Sequence, residues 1–132
     1  MSSFYPRPPA ALLALRPAIA GQPAAIPTPA TVPDFQHQVL RPLLKLQHEV
    51  AAGLLEDFAQ DYRLPDPAAN PAEATRQRAA LLARNARLRA TLVGIVVGLL
   101  TPEELAFYRP HRAELNRRLL DMLAVRLGLA TN

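Results

Sequence analysis

The sequence contains no cysteine, so disulfide bonds, thiolate metal ligands and cysteine nucleophiles are all excluded. Serine is almost as scarce, since Ser2 and Ser3 at the N-terminus are the only two, and this leaves little for a hydroxyl nucleophile. The five glycines are scattered and form no glycine-rich phosphate-binding loop. We therefore expect a protein that is not an enzyme and that uses no cofactor.

Aromatic residues are also few, at 5% of the chain, whereas hydrophobic residues make up 50%. A core built from these residues is aliphatic, and its leucine and alanine content favours helices over sheets. The longest apolar run, Leu92 to Leu100, is far shorter than the roughly 18 residues of a membrane-spanning helix. The sequence predicts an all-α protein without a membrane span, and the cytoplasm is its default location.

Proline, in contrast, is abundant, and its distribution divides the chain. Eight of the 14 prolines lie in residues 1–33. Each one removes a backbone hydrogen-bond donor and disfavours helical geometry in the residue before it. Residues 1–33 are therefore predicted to form a proline-rich extended arm, in which a short helical turn near Ala11 to Leu15 docks on the body or on a partner. Residues 34–132 are predicted to form a helical bundle domain.

The first long helix is predicted to begin near Thr31 or Asp34 and to stop before Pro65. Thr31 is a favourable N-cap with an acidic residue three positions later. Apolar residues then recur at steps of three or four along one face, namely Phe35, Val39, Leu43, Leu46, Val50, Leu54, Phe58 and Tyr62. Pro42 lies inside this pattern and should either kink the helix or mark its true start.

The second helix has a clear predicted start, with Asn70 as cap, Pro71 at the first helical position and Glu73 at the third, the residues of a capping box. It is predicted to continue without interruption to Leu99. Asn85 then lies either within the apolar seam, where a polar residue fixes register, or on a solvated side of the helix.

The third helix is predicted to open with a capping box at Thr101 and Glu104 and to end at Gly128. Pro110 should kink it or split it into a short and a long helix. Three helices of these lengths predict a three-helix antiparallel bundle that carries the extended N-terminal arm.

The histidines do not indicate a metal site. His37 and His48 share a helix face but lie three turns apart, too far to bind one ion. His111 and Glu114 have the i, i+3 spacing of helical metal sites, but a complete site needs two more ligands and no matching pair exists elsewhere. We expect no bound metal.

The basic residues are almost all arginine, and the net charge is +4. Arg76, Arg84 and Arg87 project from one side of the predicted second helix, and a phosphate-binding face is one interpretation. In the other, arginine stems cover apolar surface while their charged ends pair with acidic residues of the first helix, namely Glu49, Glu56, Asp57 and Asp61. No aromatic residue for base stacking is present in this helix, so a nucleic-acid or other polyanion partner is an alternative that we do not favour.

The segment from Leu100 to Glu104, Leu-Thr-Pro-Glu-Glu, opens a helix and resembles the Leu-Thr-x-x-Gln motif of small periplasmic stress chaperones and related helical metal-sensing proteins. The resemblance covers five residues, and Glu104 stands where that motif has glutamine. It implies a small helical stress chaperone or metal sensor as a further alternative.

The apolar end of the predicted second helix gives the leading hypothesis. Gly94, Val97 and Gly98 lie opposite the seam formed by Leu88, Leu92 and Leu99, on a side where a solvated helix is normally polar. Either the arm or the third helix covers this side, or another molecule does. We therefore predict a non-enzymatic interaction protein that self-associates or docks on a protein partner through the arm and this end of the helix, with these contact residues: Leu92, Val93, Gly94, Val97 and Gly98.

Overall fold

The computed structural model of the protein describes residues 5–19 and 29–131, and this part of the chain is helical with no strand. The all-α prediction is therefore confirmed. The helices are α1 (Pro9–Ala14), α2 (Val32–Phe35), a π-helical segment (Gln36–Leu40), α3 (Arg41–Leu46), α4 (His48–Asp61), α5 (Pro71–Arg84), α6 (Ala86–Val97), α7 (Pro102–Tyr108), a 3-10 turn (Arg109–His111) and α8 (Arg112–Arg126). Within the described residues, no helix combines the length and apolar character needed to cross a membrane.

The first helical stretch begins where the sequence predicts, because the Thr31 side chain accepts a hydrogen bond from the backbone N–H of Asp34 at 3.2 Å. Pro42 does not mark the start of this stretch, which is helical from Val32, but it is the second residue of α3. A proline has no N–H to donate one turn back, and the preceding turn widens into the π-helical segment, in which the Arg41 N–H bonds to the Gln36 carbonyl. The widened turn lets the chain continue through the proline.

A second irregularity lies at Gln47, between α3 and α4. Its backbone leaves regular helical geometry at φ −93°, ψ 10°. Before it the buried positions include Phe35, Val39 and Leu43, and after it they are Ala51, Leu55 and Ala59. Val50 and Tyr62, which the continuous stripe placed in the core, are instead about half exposed.

The prediction of one unbroken second helix is wrong. Asn85 has extended geometry, at φ −83° and ψ 109°, and separates α5 from α6. Its Oδ1 accepts a hydrogen bond from the Leu88 N–H at 2.9 Å, and its Nδ2 donates to the Tyr62 hydroxyl at 2.9 Å. The side chain of an asparagine can bond to a nearby backbone N–H group and so replace a hydrogen bond of the continuous helix. Here the capping arrangement is favoured because both the oxygen and the nitrogen of the Asn85 amide have hydrogen-bond partners.

Two of the predicted helix starts differ in detail. At Thr101 both halves of the capping box are present, since Thr101 accepts from the Glu104 N–H and Glu104 accepts from the Thr101 N–H. At Asn70 only the first half forms, because the Glu73 carboxylate binds Gln77 and Arg76 instead. Asn70 still caps α5, but through one hydrogen bond.

The third helical stretch splits at Pro110, one of the two predicted outcomes, with the 3-10 turn between α7 and α8. It ends where predicted. Gly128 has φ +75°, and the N–H groups of Gly128 and Leu129 return to the carbonyls of Val125 and Ala124. This left-handed C-terminal motif is one that glycine adopts without steric cost.

One aliphatic core lies between these helices. α6 is central to it, since it contacts α4, α5 and α8 and contributes Leu88, Leu92 and Val96 as fully enclosed side chains. The core-facing seam of α6 is therefore spaced at four residues and does not include Leu99, which is partly exposed because the helix has already ended at Val97. At the other end of the molecule Phe35 stacks on Phe107, with ring centroids 5.2 Å apart.

Candidate interaction surface

The side of α6 that faces away from the core carries a ridge of small residues. We call it the α6 ridge, and it consists of Ala86, Ala90, Gly94 and Gly98, four exposed residues spaced four apart. Residues at this spacing lie one above another on a helix, so the ridge is a continuous strip without long side chains. Such a strip allows another backbone to approach closely.

Among the residues that the structure describes, none fills the space that the missing side chain of Gly94 leaves on this ridge. A Cβ built on Gly94 meets no atom within 4 Å among the described residues, and one on Gly98 meets only the Gly94 carbonyl of its own helix, at 3.1 Å. Neither glycine has a positive φ. A glycine inside a helix costs roughly 1 kcal/mol relative to alanine, and no contact within the described chain offsets that cost at Gly94.

The other predicted contact residues lie beside or beneath the ridge. Val93 and Val97 are partly buried and pack against the edge of the core. Leu92 is fully buried. Leu92 is therefore not exposed for a direct contact, because its side chain belongs to the buried core beneath this surface.

The N-terminal arm meets α6 at the end of the ridge. Arg7 Nη2 donates to the Gly98 carbonyl at 2.7 Å and to the Leu100 carbonyl at 3.1 Å. The last carbonyls of a helix have no partner within the helix and carry partial negative charge, so a guanidinium is a favourable ligand for them. A local sequence pattern does not reveal this contact, since more than 90 positions separate the two sides.

Two further contacts fix the arm to the body. Arg16 forms a bidentate ion pair with Glu104 at the start of α7. Lys45 Nζ donates to the Ala18 carbonyl at 2.8 Å. Charged groups thus hold the described part of the arm, and three of its large apolar residues remain uncovered: Leu13 and Leu15, in and after α1, are about half exposed, and Tyr5 is almost fully exposed.

The predicted phosphate-binding arginines are not brought together into one free cluster. Arg76 pairs with Glu73 on its own helix, and Arg87 lies over the Phe58 ring with its guanidinium carbon 6.0 Å from the centroid. Arg84 is exposed at the end of α5. The break at Asn85 also separates Arg84 from Arg87, so the three residues no longer share one helix.

A neighbouring arginine shows the alternative arrangement, in which the stem is buried and the charged end is paired. Arg78 is nearly buried and binds Glu56 through Nε at 2.6 Å and Nη2 at 3.0 Å. It also donates to the Pro65 carbonyl at 2.8 Å. The hydrogen bonds to Glu56 raise the pKa of Arg78 above its ordinary value. This arginine joins α5 to α4 and to the connection between them.

The histidines hold no cluster of ligands. His111 stacks on Phe107 with centroids 4.5 Å apart, and its Nδ1 lies 2.9 Å from the Phe107 carbonyl oxygen. Across residues 5–19 and 29–131, no three His, Asp or Glu side chains are arranged so that they could hold a metal ion.

The α6 ridge and the adjoining arm are therefore the candidate surface. The small residues of the ridge could be found in the sequence by their spacing of four, whereas Arg7, Arg16 and Lys45 carry no local signal. No protein-family model, no curated protein and no solved structure matches the chain.

Proposed function

We propose that this protein is a non-enzymatic interaction protein that self-associates, or docks on a protein partner, through the α6 ridge and the N-terminal arm beside it. The observation that carries the proposal is Gly94, an exposed glycine of α6 with no described residue near its Cβ position. A second copy of α6 packed along the ridge would use the space that these glycines and alanines leave. As part of the same proposal, the body of the protein is a three-helix antiparallel bundle that carries a proline-rich arm.

The exposed side of α4 provides an internal comparison. Gly53 is also an exposed mid-helix glycine with open space at its Cβ position. Its neighbours at spacings of four are, however, charged, namely Lys45, Glu49, Asp57 and Asp61. A charged strip is stable in contact with water, whereas the α6 ridge exposes only alanine and glycine and has no polar side chain.

The test uses this matched pair of glycines. Gly94→Leu places a branched side chain on the α6 ridge, and Gly53→Leu places the same side chain on the charged strip. Leucine has the higher helix propensity, so both variants should keep their helicity. In analytical ultracentrifugation we expect wild type and Gly53→Leu to associate and Gly94→Leu to sediment at lower mass. Equal masses for all three proteins would contradict association through the ridge.

Docking on a different protein is tested in the native host. A photo-crosslinking residue at Ala90 should capture one discrete partner, and the same residue at Asp57 should not. The association test uses Gly94 and not Val97, because Val97 also packs against the core. A charged residue at position 97 would disturb folding as well as the contact.

A further inference from the structure

A groove on a different side of the molecule lies between the π-helical segment and the C-terminal half of α8. Its volume is about 560 Å³, within the range of roughly 300–1,000 Å³ that small-molecule sites occupy. No residue of α6 lines it, so the groove is separate from the α6 ridge. The widened turn before Pro42 forms one of its walls, and π-helical turns are found frequently at functional sites.

The walls of the groove are mainly apolar. Leu44 contributes from α3, Met122 and Val125 contribute from α8, and Ile19 of the arm closes one side. Leu44 is itself buried in the core, but Ile19, Met122 and Val125 are partly exposed and would remain in contact with water if the groove were empty. An apolar ligand body of a few methylene groups would remove that surface from water, at about 25 cal/mol per Å².

The rim of the groove is positively charged. Arg41 and Arg126 line it together with His37. Arg126 Nε donates to the Leu44 carbonyl at 3.3 Å, which positions the guanidinium at the rim, and its Nη atoms make no hydrogen bond to any described residue. Neither Arg41 nor Arg126 forms an ion pair within the described part of the chain.

The one acidic residue of the rim is partly compensated. Asp121 lies 3.7 Å from Arg117 Nη1, an exposed pair one turn apart on α8. Gln36 is committed as well, since its Oε1 accepts from Arg118 at 2.6 Å. The polar groups left to meet a ligand therefore include two guanidinium groups above an apolar floor, with His37, Thr131 and the side-chain N–H group of Gln36 beside them.

We propose that this groove binds a small amphipathic anion, in which a carboxylate meets Arg41 and Arg126 and an acyl chain or similar apolar body lies on Leu44, Met122 and Val125. Guanidinium groups present paired N–H donors that match the two oxygens of a carboxylate. The apolar floor and the cationic rim together favour such a molecule. An inorganic anion would leave the apolar floor in contact with water, and an uncharged alkane would leave the two arginines without an ionic partner.

The test is calorimetric titration of the full-length protein with decanoate below its micelle concentration. Decyltrimethylammonium, which has the same chain and the opposite charge, should bind at least about tenfold more weakly. Affinity should rise from hexanoate to octanoate to decanoate, by up to about fourfold for each methylene buried. Arg41→Gln and Arg126→Gln should each weaken decanoate binding by about three- to tenfold.

Arg112→Gln removes one positive charge outside the groove and is the matched control, and unchanged melting temperatures verify that each variant is folded. Equal affinity for the two head groups, or equal effects of Arg41→Gln and Arg112→Gln, would overturn the proposal. Binding to phosphatidylglycerol vesicles without binding of free decanoate would also overturn it, because the groups would then recognise a membrane surface and not a small molecule.

Discussion

Arg16 and Glu104 form a bidentate ion pair although 88 positions separate them in the chain, with Nη1···Oε2 at 2.6 Å and Nη2···Oε1 at 2.5 Å. The two side chains are only 9% and 11% exposed. The same Oε1 accepts the Thr101 N–H at 2.9 Å, so one carboxylate both completes the N-terminal cap of α7 and holds the arm. Docking of the arm and the start of α7 are therefore coupled.

We predict a measurable coupling energy for this pair. In a double-mutant cycle of Arg16→Gln and Glu104→Gln, glutamine at 104 can still cap the helix, so the cycle isolates the ion pair. We expect about 1.5–3 kcal/mol from chemical unfolding, because both groups are shielded from water. The exposed Arg117–Asp121 pair, with atoms 3.7 Å apart, should give less than about 0.5 kcal/mol. Similar values for the two pairs would show that the arm is not docked in solution.

The break at Asn85 predicts whether the substitution Asn85→Ala raises or lowers the stability of the protein. If Asn85 were inside a helix, Asn85→Ala would stabilise the protein, because alanine has the higher helix propensity. Because Asn85 is the N-cap of α6, Asn85→Ala should instead destabilise the protein by about 1 kcal/mol. We expect a similar loss for Asn70→Ala, which removes the N-cap of α5. Urea unfolding of the two variants measures both effects. A gain in stability for Asn85→Ala would favour one continuous helix.

The end of α4 contains the one described residue other than glycine with positive φ, Arg63 at 55°. Its N–H bonds to the Gln60 carbonyl and that of Leu64 bonds to Ala59, so it occupies the position that glycine prefers after a helix. Arg63→Gly should raise the free energy of unfolding by roughly 1 kcal/mol. Gly128→Ala, at the equivalent position after α8, should lower it by a similar amount. Thermal unfolding of Arg63→Gly and Gly128→Ala measures both changes in stability. If the two variants were both stabilised or both destabilised, the prediction would be wrong.

Glu73 predicts a local pH dependence. Its pKa is lowered from the ordinary 4.5, first by the hydrogen bond from Gln77 and then by that from Arg76. A depressed folded-state pKa means that the contribution to stability is present above pH 4.5 and is lost as the pH falls through the folded value. Carboxylate NMR titration should show an upward shift of the Glu73 pKa both for Gln77→Ala and for Arg76→Gln, because each variant removes a group that lowers it. An unchanged Glu73 pKa in both variants would show that these hydrogen bonds do not form in solution.

The helix starts at Thr31, Asn70 and Thr101 could be predicted because capping depends on residues three positions apart, and the end at Gly128 because it depends on one residue's φ. The break at Asn85 could not, since the choice between cap and interior is decided by Tyr62, 23 positions away. The turn before Pro42 was ambiguous because a proline permits a kink, a start or a widened turn. Of the candidate surface, the ridge was visible in the spacing, but Leu92 was misplaced, because it belongs to the core-facing seam of α6 and is fully buried.

Arg7 and Lys45 both attach the arm through main-chain oxygens, those of Gly98, Leu100 and Ala18. Every amino acid supplies such an oxygen, so substitution at these three acceptor positions leaves the hydrogen bonds intact as long as the backbone keeps its course. The attachment of the arm therefore places no demand of its own on the side chains at the end of α6, where only packing restricts them: Leu100 lies in the core, and a Cβ at position 98 would meet the Gly94 carbonyl.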